Sequence, residues 1–143
     1  MEVDRDIILS YINDQIKKNK NIHFFESLGV IRYHSLIPYC EFVIGNSSSG
    51  ILEVPFFRKP TINIGDRQKG RLRHKSIIDT EYSEEAIISG INKALSKYFQ
   101  ESIQNMEYKF GDGHAAERIV KILKDIDIDE KLMRKELDFS VYE

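Results

Sequence analysis

The chain has 143 residues, 41% of them hydrophobic, a formal net charge of −2 and one cysteine. That apolar content supplies a core and favours one folded domain over a disordered segment. The near-neutral balance argues against a dedicated binder of nucleic acid or anionic membranes, and lone Cys40 excludes an internal disulfide or a cysteine metal cluster.

The first predicted element in chain order is an amphipathic helix. Ile8, Ile12 and Ile16 recur every fourth residue, Ile7 and Tyr11 lie beside them, and Asp4 is the candidate N-cap. It ends in Lys17-Lys18-Asn19-Lys20-Asn21. Ile22-His23-Phe24-Phe25 reads as a short strand. A helix follows over about 33–40, its regularity limited by Pro38. A strand over 42–45 leads into Asn46-Ser47-Ser48-Ser49-Gly50 and then a short helix to about Phe57, stopped by Arg58-Lys59-Pro60. Thr61-Ile62-Asn63-Ile64 is the third strand, closed by Gly65. A basic loop occupies 66–75, and Ser76-Ile77-Ile78-Asp79 is the fourth strand. Ser83 caps a helix with Ile87, Ile88, Ile91, Leu95 and Tyr98 on one face. Gly111-Asp112-Gly113 opens another, with Ala116, Ile119, Val120 and Leu123 inward. An acidic break over 125–130 precedes a charged terminal helix. There is no internal repeat, no low-complexity linker, no basic-then-apolar leader at Met1 and no apolar run long enough to span a bilayer. The expected location is the reduced cytoplasm.

Strands alternating with helices indicate an α/β fold with a parallel sheet covered on both faces. Ligands of such sheets sit outside the carboxyl ends of the strands. Two loops leave those ends, one after Gly45 and one after Gly65. The first carries the most informative stretch of the chain. A strand, small hydroxyl residues and a helix start bring backbone N–H groups and serine hydroxyls to one point, which suits a phosphate or diphosphate. The plain alternative is a helix N-cap, for which one serine suffices. The segment is not a nucleophile elbow, because Gly45-Asn46-Ser47-Ser48-Ser49 lacks the closing glycine.

Glu53 lies one turn beyond Ser49 and shares its side of the new helix. A carboxylate there can accept two hydrogen bonds from a sugar diol; alternatively it is a surface glutamate favoured by the helix dipole. The loop Asp66-Arg67-Gln68-Lys69-Gly70-Arg71-Leu72-Arg73-His74-Lys75 carries five Lys/Arg. It reads as a solvated basic loop, an RNA contact or a source of cations for a diphosphate, with Arg67 nearest the strand. Absent aromatic interleaving argues against RNA. His23, His34, His74 and His114 show no metal-ligand spacing, so neither metal nor cofactor is expected. His23 is expected to be structural, His114 a cap-region residue, Gly111-Asp112-Gly113 a turn with a helix cap, and Cys40 a buried filler.

Two stretches, Val43-Ile44-Gly45-Asn46-Ser47-Ser48-Ser49-Gly50-Ile51-Leu52-Glu53 and Pro60-Thr61-Ile62-Asn63-Ile64-Gly65-Asp66-Arg67-Gln68-Lys69-Gly70-Arg71, resemble the UDP-N-acetylglucosamine 2-epimerases. The hydrolysing branch, which releases N-acetylmannosamine and UDP for sialic-acid-type sugars, looks closest. Gly111-Asp112-Gly113 before a helix is also similar to the end of those enzymes. The resemblance covers nearly the whole chain but only the later part of the family's second domain. It implies a Rossmann-like three-layer parallel sheet, the partial second domain of a glycosyltransferase-B-like architecture with UDP-sugar in the interdomain cleft. It further implies that Ser47 and Ser48 hold the diphosphate, Glu53 the uridine ribose, and that Arg67 completes the UDP site. Asn46, Ser49 and Gly50 then complete the turn, and Leu28, within Ser27-Leu28-Gly29, lies with its backbone against uracil.

The family's catalytic carboxylates come from a first domain, and its His-Arg-rich motif has no counterpart here. Residues 1–143 are therefore expected to form a single partial C-terminal UDP-binding domain without the N-terminal domain, a fragment or split-gene product inactive alone and binding UDP or UDP-GlcNAc at best. A complementing N-terminal domain or a homo-oligomer is the expected partner, with no nucleic acid and no membrane. The first two strands of the family's domain are missing from the sheet. Either the Ile22 strand closes up beside the 42–45 strand, or another chain supplies the missing strands. The alternatives for function are a UDP-sugar glycosyltransferase fragment, a non-catalytic nucleotide-binding or assembly module, and an RNA contact through the basic loop.

Overall fold

The computed structural model describes residues 3–134. Three parallel strands form one sheet in the order β1 (Val43–Gly45), β2 (Thr61–Ile64), β3 (Ile77–Thr80). The α/β class follows directly. Central β2, flanked by a strand on each side, is buried along nearly its whole length, the polar Thr61 and Asn63 included.

Two helices cover opposite faces of β2, and two glycines let them approach. Helix α3 (Ser49–Leu52) packs where Thr61 points: Thr61 Oγ1 donates to Gly50 O at 2.8 Å, and a Cβ on Gly50 would sit 2.8 Å from Thr61 Cγ2. Ile62, the next residue, faces the other way. There α4 (Glu84–Leu95) approaches through Gly90, whose Cβ would lie 2.7 Å from Thr80 Cγ2 and 3.3 Å from Ile62 Cγ2. On that face Ile62, Ile78, Ala94, Phe99 and Ile103 form the main core, completed by α5 (Lys97–Gln104). Ile37, Ile51 and Val54 are also fully buried.

Helix α1 (Val3–Lys18) matches its periodicity, but Asp4 lies inside it rather than at its cap. Ile7, Ile8 and Tyr11 stay exposed, since little among the described residues packs on them. Ile22-His23-Phe24-Phe25 is not a strand. It runs as irregular, largely exposed chain, so His23 is neither in a strand nor buried. No strand among the described residues pairs with the outer edge of β1, so the Ile22 segment does not close the sheet. Helix α2 (Gly29–Leu36) starts earlier than its periodicity indicates. Gly29 takes φ +65°, which a glycine adopts freely, and its N–H donates to Ser27 Oγ at 3.2 Å. Pro38 converts the next turn to a 3-10 helix, Ile37–Tyr39, as its missing N–H requires. Cys40 is only half-buried.

The link between β2 and β3 contains no helix; the basic loop crosses over by itself. Ser83 caps α4 as expected, its Oγ accepting from Ala86 N at 3.2 Å. Ser96 then starts α5, which leaves Tyr98 exposed rather than on the α4 core face. Helix α6 (Ala115–Asp125) departs most from expectation. Ala116, Ile119, Val120 and Leu123 are all exposed, and none of the main packing contacts between described elements involves that helix. The terminal helix is described as α7 (Glu130–Met133), and the rest of that expectation lies outside the described residues.

Candidate functional site

The turn after β1 enters α3 through Ser48, whose side chain makes no capping hydrogen bond. Ser47 Oγ takes the local duty instead, accepting from Ser49 N at 3.3 Å. Among the described residues the Ser48 hydroxyl and the N–H groups of Ser47 and Ser48 have no partner, so they remain available to an anion. Helix α3 has only four residues and then tightens into the 3-10 turn Val54–Phe57. The dipole contribution is accordingly small, and the anion-binding capacity rests on local N–H groups and hydroxyls.

The loop after β2 docks on this turn. Gln68 is buried, and its Nε2 donates to Asn46 O at 2.8 Å. Adjacent Arg67 is exposed and pairs with no carboxylate among the described residues. The two loops singled out by sequence therefore meet, through Gln68 rather than through a cation.

Helix α2 holds the far side of α3. The Tyr33 hydroxyl and Ser49 Oγ share a hydrogen bond of 2.9 Å, and Ser49 Oγ lies 3.3 Å from Ser47 Oγ. His34 Nε2 meets Glu53 Oε2 at 2.6 Å. Leu28 stands at the α2 N-cap position. An open groove of about 450 Å³ brings Leu28, Gly29, Tyr33, Ser49 and Glu53 together with residues 25–27 and Val30. Asn46, in the turn, and Gly50, buried within α3 against Thr61, are not among the residues that line it.

Beside the groove, Tyr108 donates to Leu52 O at 2.7 Å. Burial, then the Glu53 charge, raises its phenol pKa above the ordinary value. His74, expected in a solvated loop, is instead buried between Tyr108, stacked at 5.1 Å, and Phe110 at 4.9 Å. Its Nε2 accepts from Lys109 N at 2.9 Å. Burial, and next the Lys109 charge, lower its pKa, against an opposing backbone contact with Ile51. His114 occupies the N-cap position of α6 without capping through its side chain; Asp112 accepts from His114 N at 3.0 Å and takes two bonds from Arg118, which hold its carboxyl well below the usual range.

A larger cavity of about 700 Å³ opens at the carboxyl ends of β2 and β3, lined by Gly65, Asp66, Lys69, Arg73, Asp79 and residues 80–83. Size does not make it the better anion site. Arg73 is already paired with Asp79 at 3.3 Å, and Asp66, Asp79 and Glu81 outnumber Lys69 and Arg73 there. Among the described residues no group of three or more His, Cys, Asp or Glu could hold a metal, and no helix is long and apolar enough to cross a membrane.

The sequence pattern of the UDP-N-acetylglucosamine 2-epimerases matches residues 3–124. The chain belongs to the UDP-N-acetylglucosamine 2-epimerase family. It is 39% identical over 93% of its length to the GDP/UDP-N,N'-diacetylbacillosamine 2-epimerase (hydrolyzing) of Campylobacter jejuni, covering 34% of that protein. It is 29% identical over 92% to the UDP-N,N'-diacetylbacillosamine 2-epimerase (hydrolyzing) of Legionella pneumophila, covering 32% of it. It is 43% identical over 65% to polysialic acid biosynthesis protein P7 of Escherichia coli, covering 24%. The chain thus spans about a third or less of these relatives. Its α/β architecture with a three-stranded parallel sheet is that of a Rossmann-like epimerase fragment.

Tyr33, His34 and Gln68 are the site neighbours that sequence reading missed. Gln68 had a signal, a single neutral amide in a run of cations. Tyr33 and His34 had none, since their partners lie 16 and 19 residues away.

Proposed function

We propose that this chain is the nucleotide-binding portion of a hydrolysing UDP-N-acetylglucosamine 2-epimerase, holding the UDP moiety of UDP-GlcNAc or free UDP. One observation carries the reading. Leu28, Ser49 and Glu53 line one groove, and in the turn just before Ser49 the hydroxyl of Ser48 is left unpartnered among the described residues. In this reading Ser47 and Ser48 bind the diphosphate, with Asn46, Ser49 and Gly50 shaping the turn. Glu53 accepts from the ribose diol, the backbone at Leu28 lies against uracil, and Arg67 closes over the phosphates. In this reading the residues named hold the nucleotide, and none of them removes the sugar C2 proton. It acts in the cytoplasm on a route to sialic-acid-type sugars.

The hydrolysing branch is supported by two relatives that carry that word in their names. Those names also favour a second reading with N,N'-diacetylbacillosamine in place of N-acetylglucosamine, and the first of them names GDP beside UDP as the nucleotide.

Calorimetry tests the proposal. UDP should bind the chain, and Ser48→Ala and Arg67→Ala should each weaken it about tenfold, the scale of a lost charge-assisted hydrogen bond. No heat with UDP, or binding that both variants leave intact, would overturn it. RNA binding with a steep salt slope and indifference to UDP would favour the basic loop as an RNA contact.

A further inference from the structure

We propose that His34 is a positioning residue that fixes the Glu53 carboxylate for the ribose diol. The inference rests on the reading of the groove as a UDP site. His34 Nε2 stands 2.6 Å from Glu53 Oε2. An ionised carboxylate offers about four acceptor sites on two oxygens, so one bond to imidazole leaves Oε1 and the remaining lone pairs of Oε2 free for two hydroxyls.

The constraint is valuable because of where Glu53 sits. Its φ and ψ are −104° and −49°, at the joint between α3 and the following 3-10 turn, and its side chain is 43% exposed. A glutamate at such a position loses rotamer freedom when it grips a ligand. A hydrogen bond already made in the free protein removes much of that loss. The imidazole is itself held, with its ring 5.8 Å from both Tyr33 and Phe57. Its neighbour Tyr33 bonds Ser49 in the same way. Two consecutive residues of α2 therefore hold Ser49, the first residue of α3, and Glu53, the residue just after it, both of which line the groove. Because Leu28 is the N-cap position of α2, one helix sets the uracil, ribose and phosphate sides relative to one another.

The test compares UDP with 2′,3′-dideoxyuridine diphosphate, which keeps the base and both phosphates but lacks the diol. His34→Phe keeps a flat ring and removes the hydrogen-bonding nitrogens. It should weaken UDP about five- to tenfold and leave the dideoxy ligand unchanged. His34→Gln, whose amide nitrogen reaches a similar point, should recover most of the UDP affinity. In a Glu53→Gln background His34→Phe should cost little more. Equal loss for both ligands, or additive effects with Glu53→Gln, would reject the positioning role while leaving the UDP site intact. A parent chain that binds neither ligand would remove the functional reading and this inference together.

Discussion

A carboxylate that grips a diol has to be still before the diol arrives. In our proposal Glu53 meets that requirement through His34; burial first, and then the Glu53 charge, raises the Tyr108 phenol pKa. The other informative residue is His74. Its folded pKa lies below the ordinary value of 6.5. Above that pH the imidazole is neutral in both folded and unfolded chains and contributes no pH dependence. As the pH falls below it, the unfolded chain takes up the proton and the folded chain does not, so stability declines until the depressed folded value is reached. Urea midpoints measured between pH 7.5 and 5 should fall for the parent chain and fall less for His74→Gln. Parallel slopes would place the titrating group elsewhere.

At the scale of elements, α6 is the outlier. It has 11 residues, below the roughly 12–15 needed for an isolated helix to hold in water, and its apolar residues lie open. Its amides should exchange with deuterium at least about a hundredfold faster than those of β2, which is buried between two helices and two strands. Comparable protection would show that the apolar stripe of α6 is covered in solution. The contrast explains what was legible beforehand. The strand at Thr61-Ile62-Asn63-Ile64 and the cap at Ser83 were readable because local pattern and tertiary demand agree there. Ile22-His23-Phe24-Phe25 has strand composition, but a strand needs a partner, and this segment pairs with neither edge of the sheet. The inward face assigned to Ile119 and Leu123 failed for the same reason. Periodicity reports which face is apolar, not what covers it. The groove residues Ser49 and Glu53 were found from their spacing, whereas Tyr33 and His34 act across a gap that no local pattern reports.

At the scale of the molecule, the described residues form a three-stranded sheet whose outer β1 edge pairs with no described strand, and many apolar side chains are exposed. The chain covers 34% of the Campylobacter relative. Under our proposal the chain holds a nucleotide grip made by two loops and one helix. Amide chemical shifts followed while UDP is added to the labelled chain test that grip most directly. The account predicts changes centred on residues 28–29, 46–50, Glu53 and Arg67. Changes centred instead on the larger cavity, at Gly65, Asp79 and Tyr82, or no change at saturating UDP, would contradict it.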